Sequence, residues 1–134
     1  MTVYVDSSAL MKLYVDEPES DEAVRILTEE PRWVTGVHTL VEVRRNLARV
    51  LSRPALTHAR EAFARNWRET DVVPLDVATC ELAAELAEVT GARALDALHL
   101  GAAQRAGEGS LLFVTFDVRQ AGAARHLGWT VLGV

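Results

Sequence analysis

LLFVTF, residues 111–116, is an unbroken apolar run that ends at Asp117. A strand with one wet face alternates apolar and polar side chains. This one does not, so it reads as a strand buried on both faces, the kind found in parallel sheets with helices above and below. Working outward, VRQAGAARHLG (118–128) reads as a helix closed by Gly128, and TVLGV (130–134) as a last strand. On the other side, ARALDALHLGAAQRAG (92–107) and VATCELAAELAEV (77–89) read as helices, the second capped by Asp76 and ended by Gly91. Further upstream come a strand at 71–75 (DVVPL) and a helix at 55–69 after Pro54. A helix at 38–52 carries a stripe of Leu40, Val43, Leu47 and Val50. RWVTG (32–36) is a strand, Pro18 opens a helix through Glu30, SSALMKLY (7–14) is a helix and TVYV (2–5) the first strand. Strands alternating with helices predict an α/β fold: three α/β/α layers around a mostly parallel central sheet, in one domain spanning residues 1–134.

With 25% charged residues and no apolar run of membrane-spanning length, the chain excludes a membrane protein. No basic, apolar, small-residue leader opens it, so the cytoplasm is the expected compartment. The lone Cys80 rules out an intrachain disulfide and reads as a core thiol on an apolar helix face. The net charge of −5 argues against nucleic-acid binding, but its distribution argues the other way. Residues 44–68 carry seven Arg against Glu61, a local net charge of +6. Guanidinium forks match phosphate geometry; solvated helix faces explain the same pattern.

Sites in open parallel sheets form beyond the carboxyl ends of the strands. Asp6 directly follows TVYV, and Asp117 follows LLFVTF with Thr115 two residues earlier, so Thr115 and Asp117 point the same way if the strand stays extended. Each Asp also precedes a helix and suits an N-cap. Asp96 lies in a helix apolar nearly all the way round, where an ionised carboxylate is costly unless paired or bound to a metal. Arg93 is one possible partner, and the helix dipole helps a first-turn acid. Glu42 is the weakest of the four on pattern: it sits off its helix's apolar stripe, and a solvated pair with Arg45, three residues on, explains it adequately. If the four converge, carboxylates ~4 Å apart repel by roughly 4 kcal/mol at an effective dielectric of ~20. A divalent cation removes that conflict, and oxygen-only donors select Mg²⁺ or Mn²⁺ over zinc. His38, His58, His99 and His126 are scattered; His99, one turn after Asp96, orients that acid or is a satisfied core histidine. Trp33, Trp67 and Trp129 are candidates for base stacking or for the core.

In this order the motifs resemble a known family. VYVDSSALMKLY is similar to the opening of PIN-domain nucleases, TLVEVRRNL to the helix that carries their Glu, ALDALHLGAA to their third acidic motif and FVTFDVRQAGAARHLGWTVL to their closing motif. The short single-domain form most resembles VapC-type toxins of toxin–antitoxin pairs. The resemblance implies Asp6, Glu42, Asp96 and Asp117 as catalytic and metal-holding acids. It implies Thr115 supporting the fourth acid and Ser7 in a supporting or helix-starting role. It further implies Mg²⁺ with Mn²⁺ as substitute, an RNA substrate, a homodimer and a cognate antitoxin. Arg44, Arg45, Arg93 and Arg119 are the candidate phosphate contacts. Two other readings share these motifs: a receiver-like phosphoryl-transfer domain, which wants a Lys where the chain has only Lys12, and a catalytically silent module that uses the PIN fold to bind a partner.

Overall fold

The computed structural model of the chain describes residues 2–30, 32–107 and 110–134. β1 (Thr2–Val5) is the middle strand of a five-stranded sheet. β2 (Arg32–Gly36) and β3 (Asp71–Val73) lie to one side, β4 (Leu112–Thr115) and β5 (Val131–Gly133) to the other, in the order β3-β2-β1-β4-β5. All four pairings are parallel, with Val5 opposite Val114 at the centre. The helices between them are α1 (Ser7–Tyr14), α2 (Ser20–Glu29), α3 (Thr39–Val50), α4 (Ala55–Glu69), α5 (Val77–Thr90), α6 (Ala94–Gly107) and α7 (Val118–His126).

Pleating sends successive side chains to opposite faces, and the two faces carry separate cores. Val3, Val5 and Val114 pack with Leu10, Ile26, Leu27, Val43, Leu47 and Phe63 of α1 to α4. Tyr4, Val34 and Phe113 pack with Leu100 and Ala103 of α6 and Ala124 of α7. Phe113, Val114 and Thr115 are all buried, as the absence of alternation in LLFVTF requires. The three α/β/α layers expected from the sequence are therefore present.

Several ends differ from expectation for local reasons. β3 stops at Val73, because Pro74 has no N–H to continue a ladder. Pro18 lies in a turn, and α2 begins at Ser20, whose hydroxyl bonds Val15 O and Glu17 N. Ala92 and Arg93 precede α6; the Thr90 hydroxyl accepts from Ala92 N. Cys80 is exposed, not a core thiol. α5 turns Thr79 and Ala83 inward, and Cys80 lies off that face.

The inward face of α5 meets α6 at Gly101. A Cβ there would lie 2.8 Å from Ala83 Cβ and 2.9 Å from its backbone nitrogen, so only glycine lets the two helices approach this closely. Gly101→Ala should lower unfolding free energy by roughly 1–3 kcal/mol, the usual cost of overpacking, despite Ala's better helix propensity. Equilibrium urea denaturation checks it; a variant as stable as wild type would mean the helices separate freely.

Candidate active site

The strand order places the site. The chain moves from β1 outward to β2 and β3, then crosses back to β4 on the other side of β1. The resulting switch point lies between β1 and β4, where open α/β sheets leave a crevice beyond their carboxyl ends. Asp6 and Asp117 sit at those two ends, just past Val5 and Thr115. They line a cleft of about 500 Å³ together with Glu42 from α3 and Asp96 from α6. Four acids from four separated segments thus face one space.

Asp6 is buried, and it is both helix cap and cleft residue. Its Oδ1 accepts from Ala9 N at 3.1 Å and from the Ser8 hydroxyl at 2.6 Å; its Oδ2 accepts from the Thr115 hydroxyl at 2.5 Å. A carboxylate offers about four lone-pair sites, so these bonds leave roughly one for a ligand in the cleft. Burial pushes the carboxyl above its ordinary range, against the lowering effects of nearby His99 and these hydroxyl and amide donors. Among the described residues no Lys or Arg bridges Asp6. Asp117 also caps, accepting at Oδ1 from Arg119 N and Gln120 N at 2.8 and 3.1 Å. For both acids, capping and facing the cleft coexist.

Asp96 stands in the first turn of α6, with Arg93 Nε 3.5 Å from its Oδ2. Arg93 is mostly exposed, so this contact offsets little of the local negative charge. Gln120, buried on α7, donates to Asp96 O at 3.0 Å and ties the α6 turn to the helix that Asp117 starts. Glu42 is held by His99 and does not pair with Arg45: His99 Nε2 lies 2.7 Å from Glu42 Oε1, while Arg45 bonds Asn46. Burial raises the Glu42 carboxyl, and the His99 bond with help from His38 and the Ser7 hydroxyl outweighs it, for a net lowering. His99 continues inward through Nδ1 to the Tyr4 hydroxyl at 2.7 Å, and Tyr4 accepts from Gly36 N. It is thus a satisfied buried histidine that orients Glu42; Asp96 is not its partner.

The sequence-derived residues divide clearly. Ser7 and Arg93 line the cleft. Arg119 and Arg93 line an adjoining groove with Asp96 and His126. Arg44 and Arg45 are not brought there: they face a groove with Leu40, Ala48 and Arg60 on the outer side of α3. Thr115 contacts the first acid as well as the fourth, donating to Asp6 and accepting from Asp117 N at 3.1 Å. Sequence reading missed Ser8, whose hydroxyl bonds Asp6 and accepts from Phe116 N, and Asn46 on the cleft wall. The spacing of Asn46 from Glu42 (i, i+4 on one helix) could have found it. Trp33, Trp67 and Trp129 pack against the cores, and Trp33 Nε1 donates to Leu27 O and Glu30 O. Lys12, needed by a receiver-like site, pairs with Glu17 and Glu19 and does not line this cleft.

Comparison with known proteins agrees with this fold. Residues 3–126 match the PIN domain. The chain is 39% identical to Ribonuclease VapC46 of Mycobacterium tuberculosis, across 97% of this chain and 95% of that protein. It is 32% identical to Ribonuclease VapC47 of the same species, across 95% and 93%. Among solved structures, FitAcB of Neisseria gonorrhoeae superposes with a TM-score of 0.77 at 16% identity, covering 98% and 96% of the two chains. The M. tuberculosis VapC20 toxin, which cleaves the sarcin–ricin loop, superposes at 0.72 with 23% identity, covering 90% and 94%. At those identities the two structures speak to the fold alone.

Proposed function

The chain belongs to the PIN-domain family, and from that membership and the cleft we propose that it is an endoribonuclease, the toxin of a toxin–antitoxin pair. It hydrolyses RNA phosphodiester bonds with Mg²⁺, for which Mn²⁺ substitutes. The observation that carries this reading is the convergence of Asp6, Glu42, Asp96 and Asp117 on one cleft, with Asp6 buried and, among the described residues, without a Lys or Arg partner. The donor set fits a hard divalent ion: all oxygen, with one open lone-pair site on Asp6. Such an ion, when bound, acidifies water and polarises the scissile phosphate.

The chain's own residues supply the rest. Ser8, Thr115 and the α1 amide fix the Asp6 carboxylate so that it does not rotate away. His99 does the same for Glu42. Arg93 and Arg119 border the groove next to the acids and offset the repulsion between a polyanion and an acidic site. The groove suits an unpaired strand, whose bases can splay apart. Two of the ribonucleases it resembles carry the VapC name, and several structures of the same fold are toxin–antitoxin complexes, VapBC of Salmonella typhimurium among them. A cognate antitoxin that closes this cleft, a homodimeric toxin and a cytoplasmic site of action complete the proposal. No described helix is long and apolar enough to cross a membrane.

The protein purified free of antitoxin should cut a 5′-labelled single-stranded RNA internally in Mg²⁺. Because water displaces the 3′ oxygen, the products should end in 5′-phosphate and 3′-hydroxyl. Cyclic 2′,3′-phosphate ends would contradict this chemistry, and an uncut panel of RNAs would favour the silent binding module.

A further inference from the structure

His38 stands beside Glu42 without a hydrogen bond of its own. It is 8% exposed, yet neither Nδ1 nor Nε2 has a hydrogen-bond partner. A buried imidazole without partners gives up its hydration for nothing, so its environment calls for an explanation. A Cβ on Gly36 would lie 2.5–2.6 Å from His38 Cε1 and Nδ1, so this glycine makes room for the ring. The free Nε2 lies 3.7 Å from Glu42 Oε1, one helical turn on, which is too long for a hydrogen bond. The His38 and His99 rings are 4.1 Å apart, and one donor atom each from His38, Glu42 and His99 all lie within 4.8 Å of one another.

We propose that His38, Glu42 and His99 bind a second kind of ion, a borderline-soft divalent metal of the zinc class, at a site distinct from the four-carboxylate site but sharing Glu42 with it. With bonds of ~2.0–2.1 Å, the corners of a zinc tetrahedron lie roughly 3.3–3.4 Å apart. The two distances to Glu42 Oε1, 2.7 and 3.7 Å, bracket that value. Two imidazoles and one carboxylate form a donor set that favours Zn²⁺ over Mg²⁺ and leaves a fourth position for water. His99 has the supporting contact a metal-bound histidine needs: with Nε2 on the ion, its Nδ1–H donates to the Tyr4 oxygen. Entry is through the cleft that Glu42 and His99 line. An ion here draws Glu42 away from the acidic cluster, so Zn²⁺ opposes Mg²⁺-dependent cleavage. Binding itself does not rest on the ribonuclease reading; the inhibition does.

Co²⁺ is the probe, because four-coordinate Co²⁺ gives visible bands much stronger than those of the hydrated ion. Titrating the metal-free full chain should develop such bands to one equivalent, and Zn²⁺ should bleach them. His38→Gln should weaken binding by roughly 10–100-fold or more, since removing even an outer-shell partner costs that much. It should keep wild-type cleavage in Mg²⁺ and lose sensitivity to Zn²⁺. His38→Leu, without any donor, gives the same comparison should His38→Gln fail to fold. Wild-type protein with no tetrahedral bands, or bands unchanged in both variants, would overturn the site. Bands without inhibition of cleavage would overturn the sharing of Glu42. Bands in a chain that cuts no RNA would uphold the site and remove only the ribonuclease reading.

Discussion

Asp6→Asn should reduce RNA cleavage by roughly a thousandfold or more while leaving the metal-free fold at least as stable as wild type. The activity loss follows from what the carboxylate contributes. Its remaining lone-pair site is the most deeply placed oxygen donor in the cleft, and an ion that binds poorly forfeits several kcal/mol of transition-state stabilisation. Each ~1.4 kcal/mol is tenfold in rate, so ~4 kcal/mol is a thousandfold. The stability half has the opposite sign. Asp6 is buried and its carboxyl lies above the ordinary range, so the folded chain holds that proton more tightly than the unfolded chain. The stabilisation this brings is complete at low pH and is lost as pH rises through the folded value. Asn keeps the shape and still accepts from Ala9 N and the Ser8 hydroxyl, and the Thr115 hydroxyl can reverse to accept from the amide. Cleavage assays and urea denaturation in EDTA measure the two halves. Lost activity with lost stability would make Asp6 a structural cap and nothing more.

Chelation should stop cleavage completely, and added Mg²⁺ or Mn²⁺ should restore it together with a large gain in stability. Four carboxylates share one cleft, and among the described residues the one Lys or Arg that pairs with any of them is the mostly exposed Arg93, so their mutual repulsion destabilises the metal-free fold. An ion that binds only the folded chain adds about 2.7 kcal/mol at a hundred times its Kd. For a domain of this length that is roughly 10 °C in Tm. Asp96→Asn and Asp117→Asn should show a smaller Mg²⁺-induced rise. Cleavage that survives thorough chelation, or Mg²⁺ that leaves Tm unchanged, would remove the metal from the mechanism.

The elements that frame the cleft were legible because burial on both faces writes itself into composition: LLFVTF and TVYV have little polar character to dispute. Element ends were less legible, since they depend on single groups such as the missing N–H of Pro74. Asp6 and Asp117 could be placed from strand ends alone, and the choice between cap and ligand dissolved because each does the first while facing the cleft. Glu42 was the opposite case. The sequence offers Arg45 three residues away, but its partner is His99, 57 residues on, and no local pattern reports such a contact. Ser7 and Ser8 differ by one position, and only the helix phase decides which hydroxyl meets Asp6. The Arg-rich segment was visible as charge but not as direction, and Arg44 and Arg45 face away from the acids.

The most direct test is an anomalous difference map from crystals of the wild-type protein grown with Mn²⁺. The account predicts an ion at bonding distance, about 2.1 Å, from Asp6 and from at least one of Asp96 and Asp117. A cleft that stays free of Mn²⁺ at saturating concentration, with those carboxylates directed at protein groups only, would contradict it.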